Sequence, residues 1–133
     1  MTNAGNKLQI ELHVPDFAPV LDFYGKLGFK TVSHKLENEF GDYLVMEREG
    51  VTINFWPGSD LAYRQSHFSH FPKDAKRGYG VELIIPVTNI ETFYEDAKQF
   101  ANIVGDLKQR HWGAKDFRVV DPFGYYLRFS ENI

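Results

Sequence analysis

A self-similar pair of segments constrains this chain more than any other feature, because a duplicated supersecondary unit fixes element order and fold class together. Gly41 to Trp56 (GDYLVMEREGVTINFW) and Lys115 to Ser130 (KDFRVVDPFGYYLRFS) align without a gap at an offset of 74 residues. Asp42 falls on Asp116, Val45 on Val119, Gly50 on Gly124 and Phe55 on Phe129. Tyr43/Phe117, Met46/Val120, Glu47/Asp121 and Ile53/Leu127 are conservative pairs. Each copy reads as two strands joined by a tight turn at the shared glycine, which tolerates the positive φ that such turns demand.

The segments upstream repeat as well. Leu8 to Val14 alternates apolar Leu8, Ile10, Leu12 and Val14 with polar Gln9, Glu11 and His13, the period of a half-buried strand. Asp16 reads as a helix N-cap, Pro19 fits the first turn, and Phe17, Val20, Leu21, Tyr24 and Leu27 form an apolar stripe that Gly28 ends. In the second half Val81 to Ile85 reads as a strand and Asn89 as the cap. Ile90, Phe93, Tyr94, Ala97 and Ala101 make the matching stripe. The remaining strands are expected at Phe29 to Leu36, Asp42 to Arg48 and Val51 to Trp56, then Asn102 to Leu107, Asp116 to Val120 and Tyr125 to Ser130. The expectation is a single α+β domain over 1–133 of two βαβββ modules, with halves at about 7–57 and 79–131 and a polar, aromatic connector at 58–78.

Composition narrows the function classes. A net charge of −3 leaves no basic stripe to displace counterions, so nucleic acid is not expected as a partner. No run approaches the roughly 20 apolar residues of a membrane span, and no signal peptide opens the chain, so a cytoplasmic location is expected. The chain has no cysteine, hence no disulfide framework and no thiolate nucleophile. Gly78-Tyr79-Gly80 precedes a strand, whereas a phosphate-cradling loop precedes a helix. Twelve Phe and seven Tyr raise the aromatic content to 16%, enough to fill a core or to line a pocket.

The strings VPDFAPVLDFYGKLGF (Val14 to Phe29) and WGAKDFRVVDPFGYYLRF (Trp112 to Phe129), with the duplication, resemble the vicinal oxygen chelate superfamily. That superfamily contains glyoxalase I, extradiol dioxygenases, fosfomycin-resistance enzymes and bleomycin-resistance proteins. The ending is most similar to the bleomycin-resistance branch. The resemblance covers nearly all the chain and implies a cupped mixed sheet with helices outside, two modules enclosing a site, and a homodimer that traps its guest in clefts.

Alternation then assigns faces. With Ile10, Leu12, Ile53, Phe55, Val81, Leu83, Leu127 and Phe129 under the helices, the opposite face carries Gln9, Glu11, His13, Thr52, Asn54 and Trp56. In the second half it carries Glu82, Ile84, Tyr126, Arg128 and Ser130. This face either lines a pocket or is a solvated outer surface. The superfamily's metal-ligand positions look like Gln9, Asn54, Glu82 and Arg128. One carboxylate, two amides and a guanidinium make a poor divalent site, since arginine stays protonated and has no lone pair to give. Neither metal nor other cofactor is expected.

The resemblance, taken with these faces, implies a binding protein of the bleomycin-resistance type that sequesters a small aromatic, drug-like and possibly cationic molecule. The resemblance places a ligand-stacking aromatic at Trp112, and Trp56 is the second candidate. Glu82, Arg128, Glu11, His13, Asn54 and Phe40 are the other expected ligand contacts. His67, Phe68, His70 and Phe71 of the connector are candidates to close over a flat ligand. Glu82 and Arg128 are equally suited to pair with each other. Two rival readings remain: a divergent lyase, isomerase or dioxygenase with Glu82 as base, and a metabolite-sensing or partner-binding module.

Overall fold

Period-two alternation in the strands and 3.6-residue periodicity in the helices decide which face of each sheet is covered. A computed structural model describes residues 8–35, 43–57 and 77–131. They fall into two units, 1–75 and 76–133, each carrying one sheet. Unit 1 runs β1 (Glu11–His13), α1 (Ala18–Lys26), β2 (Lys30–Lys35), β3 (Tyr43–Arg48) and β4 (Val51–Trp56). Unit 2 runs β5 (Glu82–Val87), α2 (Ile90–Ala97), β6 (Asn102–Gln109), β7 (Lys115–Val120) and β8 (Tyr126–Glu131). The sheet orders are β1-β4-β3-β2 and β5-β8-β7-β6. In each, the first strand pairs parallel with the last and the other pairs are antiparallel. Both units are thus βαβββ modules, as the repeat implies.

Each helix packs its stripe on one sheet face. Val20, Phe23, Tyr24 and Leu27 are buried at helical spacing, and the Tyr24 ring lies 5.0 Å from Phe55 of β4 and 5.7 Å from Phe29. In unit 2 Phe93 sits 4.8 Å from Phe129 and Tyr94 4.9 Å from Phe117. Each fully buried Phe contributes about 1.5–3 kcal/mol relative to exposure. Pro86 is accommodated because β5 is an edge strand and one side of it needs no ladder donor.

Several local expectations change. Phe17 occupies the N-cap of α1, while the Asp16 carboxylate accepts a hydrogen bond from the Ala18 amide at 3.1 Å, so Asp16 satisfies one orphan donor from one position earlier. Asn89 is the N-cap of α2, but its backbone is left-handed (φ 51°) and its side chain makes no cap bond. That helix stops at Ala97, a turn before Ala101, because the Phe100 and Ala101 amides both turn back to the Ala97 carbonyl and lead into β6. The assigned β1 is shorter than Leu8 to Val14. Its parallel pairing nevertheless reaches from the Ile10 carbonyl to the Val14 amide through bonds of 2.9 and 3.1 Å to Asn54 and Trp56.

The two hairpins that anchor the repeat are not in the register of an ungapped alignment. Phe55 pairs with Leu44, whereas its counterpart Phe129 pairs with Phe117. Leu44 therefore corresponds to Phe117 and Met46 to Val119, all buried. The pairs Tyr43/Phe117 and Val45/Val119 point to opposite faces. The cause is turn length. Glu49 (φ 48°) and Gly50 (φ 83°) close the first turn between Arg48 and Val51. The second is wound around Asp121, whose carboxylate accepts from the Phe123 and Tyr125 amides at 2.8 and 2.9 Å. One extra residue there shifts β7 by one position and reverses the faces of its side chains.

Candidate functional site

On the face of unit 1 away from α1, β1, β3 and β4 bring Glu11, His13, Tyr43, Asn54 and Trp56 together. Glu11 is opposite Asn54 and His13 opposite Trp56 in the parallel ladder. The Tyr43 hydroxyl donates to one Glu11 oxygen at 2.6 Å, and His13 Nε2 lies 3.0 Å from the other. Burial first, and then the Glu11 carboxylate, push the Tyr43 phenol up to about 12, since both disfavour a phenolate beside an existing anion. Trp56 is 6% exposed and meets the edge of His13 at 4.8 Å. Of the expected contacts in this half, Glu11, His13, Asn54 and Trp56 are brought together. Phe40 lies outside the described residues, as do His67, Phe68, His70 and Phe71.

The corresponding face of unit 2 is ionic. Glu82 of β5 is held between two arginines: Arg118 Nε at 2.6 Å from one oxygen and Arg128 Nε at 3.2 Å from the other. The first contact is a hydrogen bond. The second is an ion pair at the right distance but without hydrogen-bond geometry, and Arg128 Nε is left buried without a bond. Arg128 Nη1 stands 3.6 Å from Asp116 Oδ2, and Arg110 Nε bonds Asp116 Oδ1 at 2.6 Å. Asp116 is fully buried. The chain Arg118–Glu82–Arg128–Asp116–Arg110 thus sets three guanidinium groups against two carboxylates.

Trp112 sits in the loop between β6 and β7, closed by the Arg110 amide bonding the Ala114 carbonyl at 2.8 Å and by Gly113 at φ 102°. It is 50% exposed, touches His111 edge-on at 4.7 Å, and lies 5.9 Å from the Arg128 guanidinium over its ring. At the edge of the same sheet an open hollow of about 400 Å³ is lined by Gly78, Tyr79, Gly80, Val81, Glu82 and Tyr126. Glu82 is common to the hollow and the ionic chain.

Arg110, Asp116 and Arg118 were not singled out from sequence. The signal was the alternation of β7 itself, which puts Asp116 and Arg118 beside Ser130 and Arg128 once the register is known. At the positions expected from the resemblance to hold a metal, the side chains do not suit a divalent ion. In unit 2 Glu82 already serves two guanidiniums and Arg128 is itself a cation; in unit 1 Asn54 supplies only a neutral amide. Among the described residues no three His, Asp or Glu side chains converge as ligands. Nor is any described helix long and apolar enough to cross a membrane.

Comparison with known proteins agrees with this architecture. The family profile of the glyoxalase/bleomycin resistance protein/dioxygenase superfamily matches residues 8–129. Among solved structures, an Agrobacterium tumefaciens protein of unknown function superposes with a TM-score of 0.74 at 19% identity, covering 96% of this chain and 94% of its own. A bleomycin-binding protein complexed with bleomycin gives 0.63 at 19% identity, over 96% and 99% of the two chains. A bleomycin resistance determinant encoded on the transposon Tn5 gives 0.65 at 21% identity, over 96% and 98%. At these identities the likeness is one of fold. No curated protein matches the sequence.

Proposed function

Since the chain belongs to the glyoxalase/bleomycin resistance protein/dioxygenase superfamily, we propose that it captures and sequesters a small aromatic molecule without metal chemistry. The observation that carries this reading is Trp112. A half-exposed indole on a hairpin loop, with a guanidinium over one side and no core to fill, offers a stacking surface to a flat guest. The structural likeness to a bleomycin-binding protein supports the same class of task. The donor chemistry at Glu82 and Arg128 disfavours a Lewis-acid role. On this reading the two halves work as one domain, the working form is a cytoplasmic homodimer, and Trp56, His13, Glu11 and Asn54 serve as wall residues.

Intrinsic fluorescence and calorimetry with bleomycin and other flat aromatic compounds test it. Trp112→Ala should weaken binding by roughly 1–3 kcal/mol, the scale of one stacking surface. Unchanged affinity removes Trp112 from the site.

An acid–base enzyme is the second reading, favoured by one observation: Glu11 orients His13 and Tyr43 simultaneously. A carboxylate that fixes a histidine is how a general base is positioned. Turnover of a bound compound that disappears in Glu11→Gln would favour it over sequestration.

A further inference from the structure

The guest's charge can be read from the sheet of unit 2. Arg118 and Arg128 are directly opposed across the antiparallel β7–β8 ladder. Like charges in that position destabilise a sheet unless an anion lies between them. Glu82 supplies one such anion, but it engages each arginine only through Nε. Among the described residues no side chain hydrogen-bonds Arg118 Nη1 or Nη2, so the paired N–H fork of a 31%-exposed side chain is left open. Arg128 is less open: it is 18% exposed, its Nη1 stands 3.6 Å from Asp116, and its buried Nε makes no hydrogen bond, so it adds charge beside the fork. Planar guanidinium forks match carboxylates bidentately. The excess of one positive charge, the open fork of Arg118 and the exposed indole beside Arg128 lie on one sheet with the hollow that Glu82 and Tyr126 line.

We propose that unit 2 binds an aromatic carboxylate, its ring on Trp112 or the Tyr79/Tyr126 hollow and its acid group on Arg118 and Arg128. This rests on the aromatic-capture reading and gives the guest a sign opposite to the cation expected from sequence. Glu82 then holds the two arginines together until the guest arrives, and competes with it.

Three naphthalene probes of one shape test the inference by calorimetry at low salt: 2-naphthoate, 2-naphthamide and 2-naphthylmethylammonium. The naphthoate should bind roughly 10-fold more tightly than the amide, the scale of one charge-assisted hydrogen bond, and the ammonium most weakly. Arg118→Gln should bring the naphthoate down to the amide's affinity. Glu82→Gln, which removes the competing anion, should strengthen naphthoate binding several-fold, a gain that damaged folding cannot produce. Equal binding of the three probes, or a loss in Glu82→Gln, overturns the carboxylate assignment and leaves aromatic capture standing. If none of the three binds, both fall.

Discussion

Replacing Asp116 by alanine isolates the carboxylate at the centre of the ionic chain. Its side chain is 1% exposed, with one oxygen in a 2.6 Å bond to Arg110 and the other 3.6 Å from Arg128. A hydrogen bond to a charged group is worth about 1.5–3 kcal/mol net. Removing one member of a buried pair costs more, about 3–5 kcal/mol, because the partner is left uncompensated. Arg110 and Arg128 are 20% and 18% exposed, so water rescues part of that penalty. The loss should therefore fall near the overlap of the two ranges, about 3 kcal/mol. Urea unfolding at neutral pH is the assay. With a slope of about 1.5 kcal/mol per molar for a chain of this size, the midpoint should drop by roughly 2 M. Asp116→Asn keeps an acceptor for Arg110 but turns an amide toward Arg128, and should lose about half as much. A loss below about 1 kcal/mol in Asp116→Ala would refute the reasoning, since burying this carboxylate would then cost nearly as much as its two arginines return.

The Gly78–Gly80 turn, which lines the hollow just before β5, offers a paired test. A Cβ at Gly78 (φ 84°) would sit 2.1 Å from the Gly124 carbonyl oxygen, whereas one at Gly80 (φ 83°) meets nothing within 4 Å. Gly78→Ala should cost clearly more than the roughly 1 kcal/mol of left-handed backbone strain expected for Gly80→Ala; equal thermal stabilities would refute the packing. Alkaline unfolding should report Tyr43. Its folded value is raised above that of the unfolded chain, so its stabilisation is complete below pH 10 and is lost as pH rises toward about 12. A difference absorbance titration against Tyr43→Phe should show the late phenolate, and Glu11→Gln should bring it earlier; an unmoved midpoint would remove Glu11 as a cause.

The order of elements, the inward faces of β4 and β8 and the glycines at the two hairpin turns were legible in the sequence because they depend on local periodicity and on one residue's freedom to adopt positive φ. Val81, by contrast, was expected under the helix and is 57% exposed. Glu82 and Arg128 were found from alternation, and the prospect that they pair was visible in their placement. Which of them meets what was not. The alignment of the repeat is blind to one extra residue in the Asp121–Tyr125 turn, since a gap of one costs an alignment little and a strand everything. That turn sets Arg118 against Arg128 and Asp116 beside Ser130, and so creates an excess of positive charge that no window of sequence contains. Sequence alone determined the fold and the chemistry available on its faces. Register, a property of three strands at once, decided which charges stand next to one another.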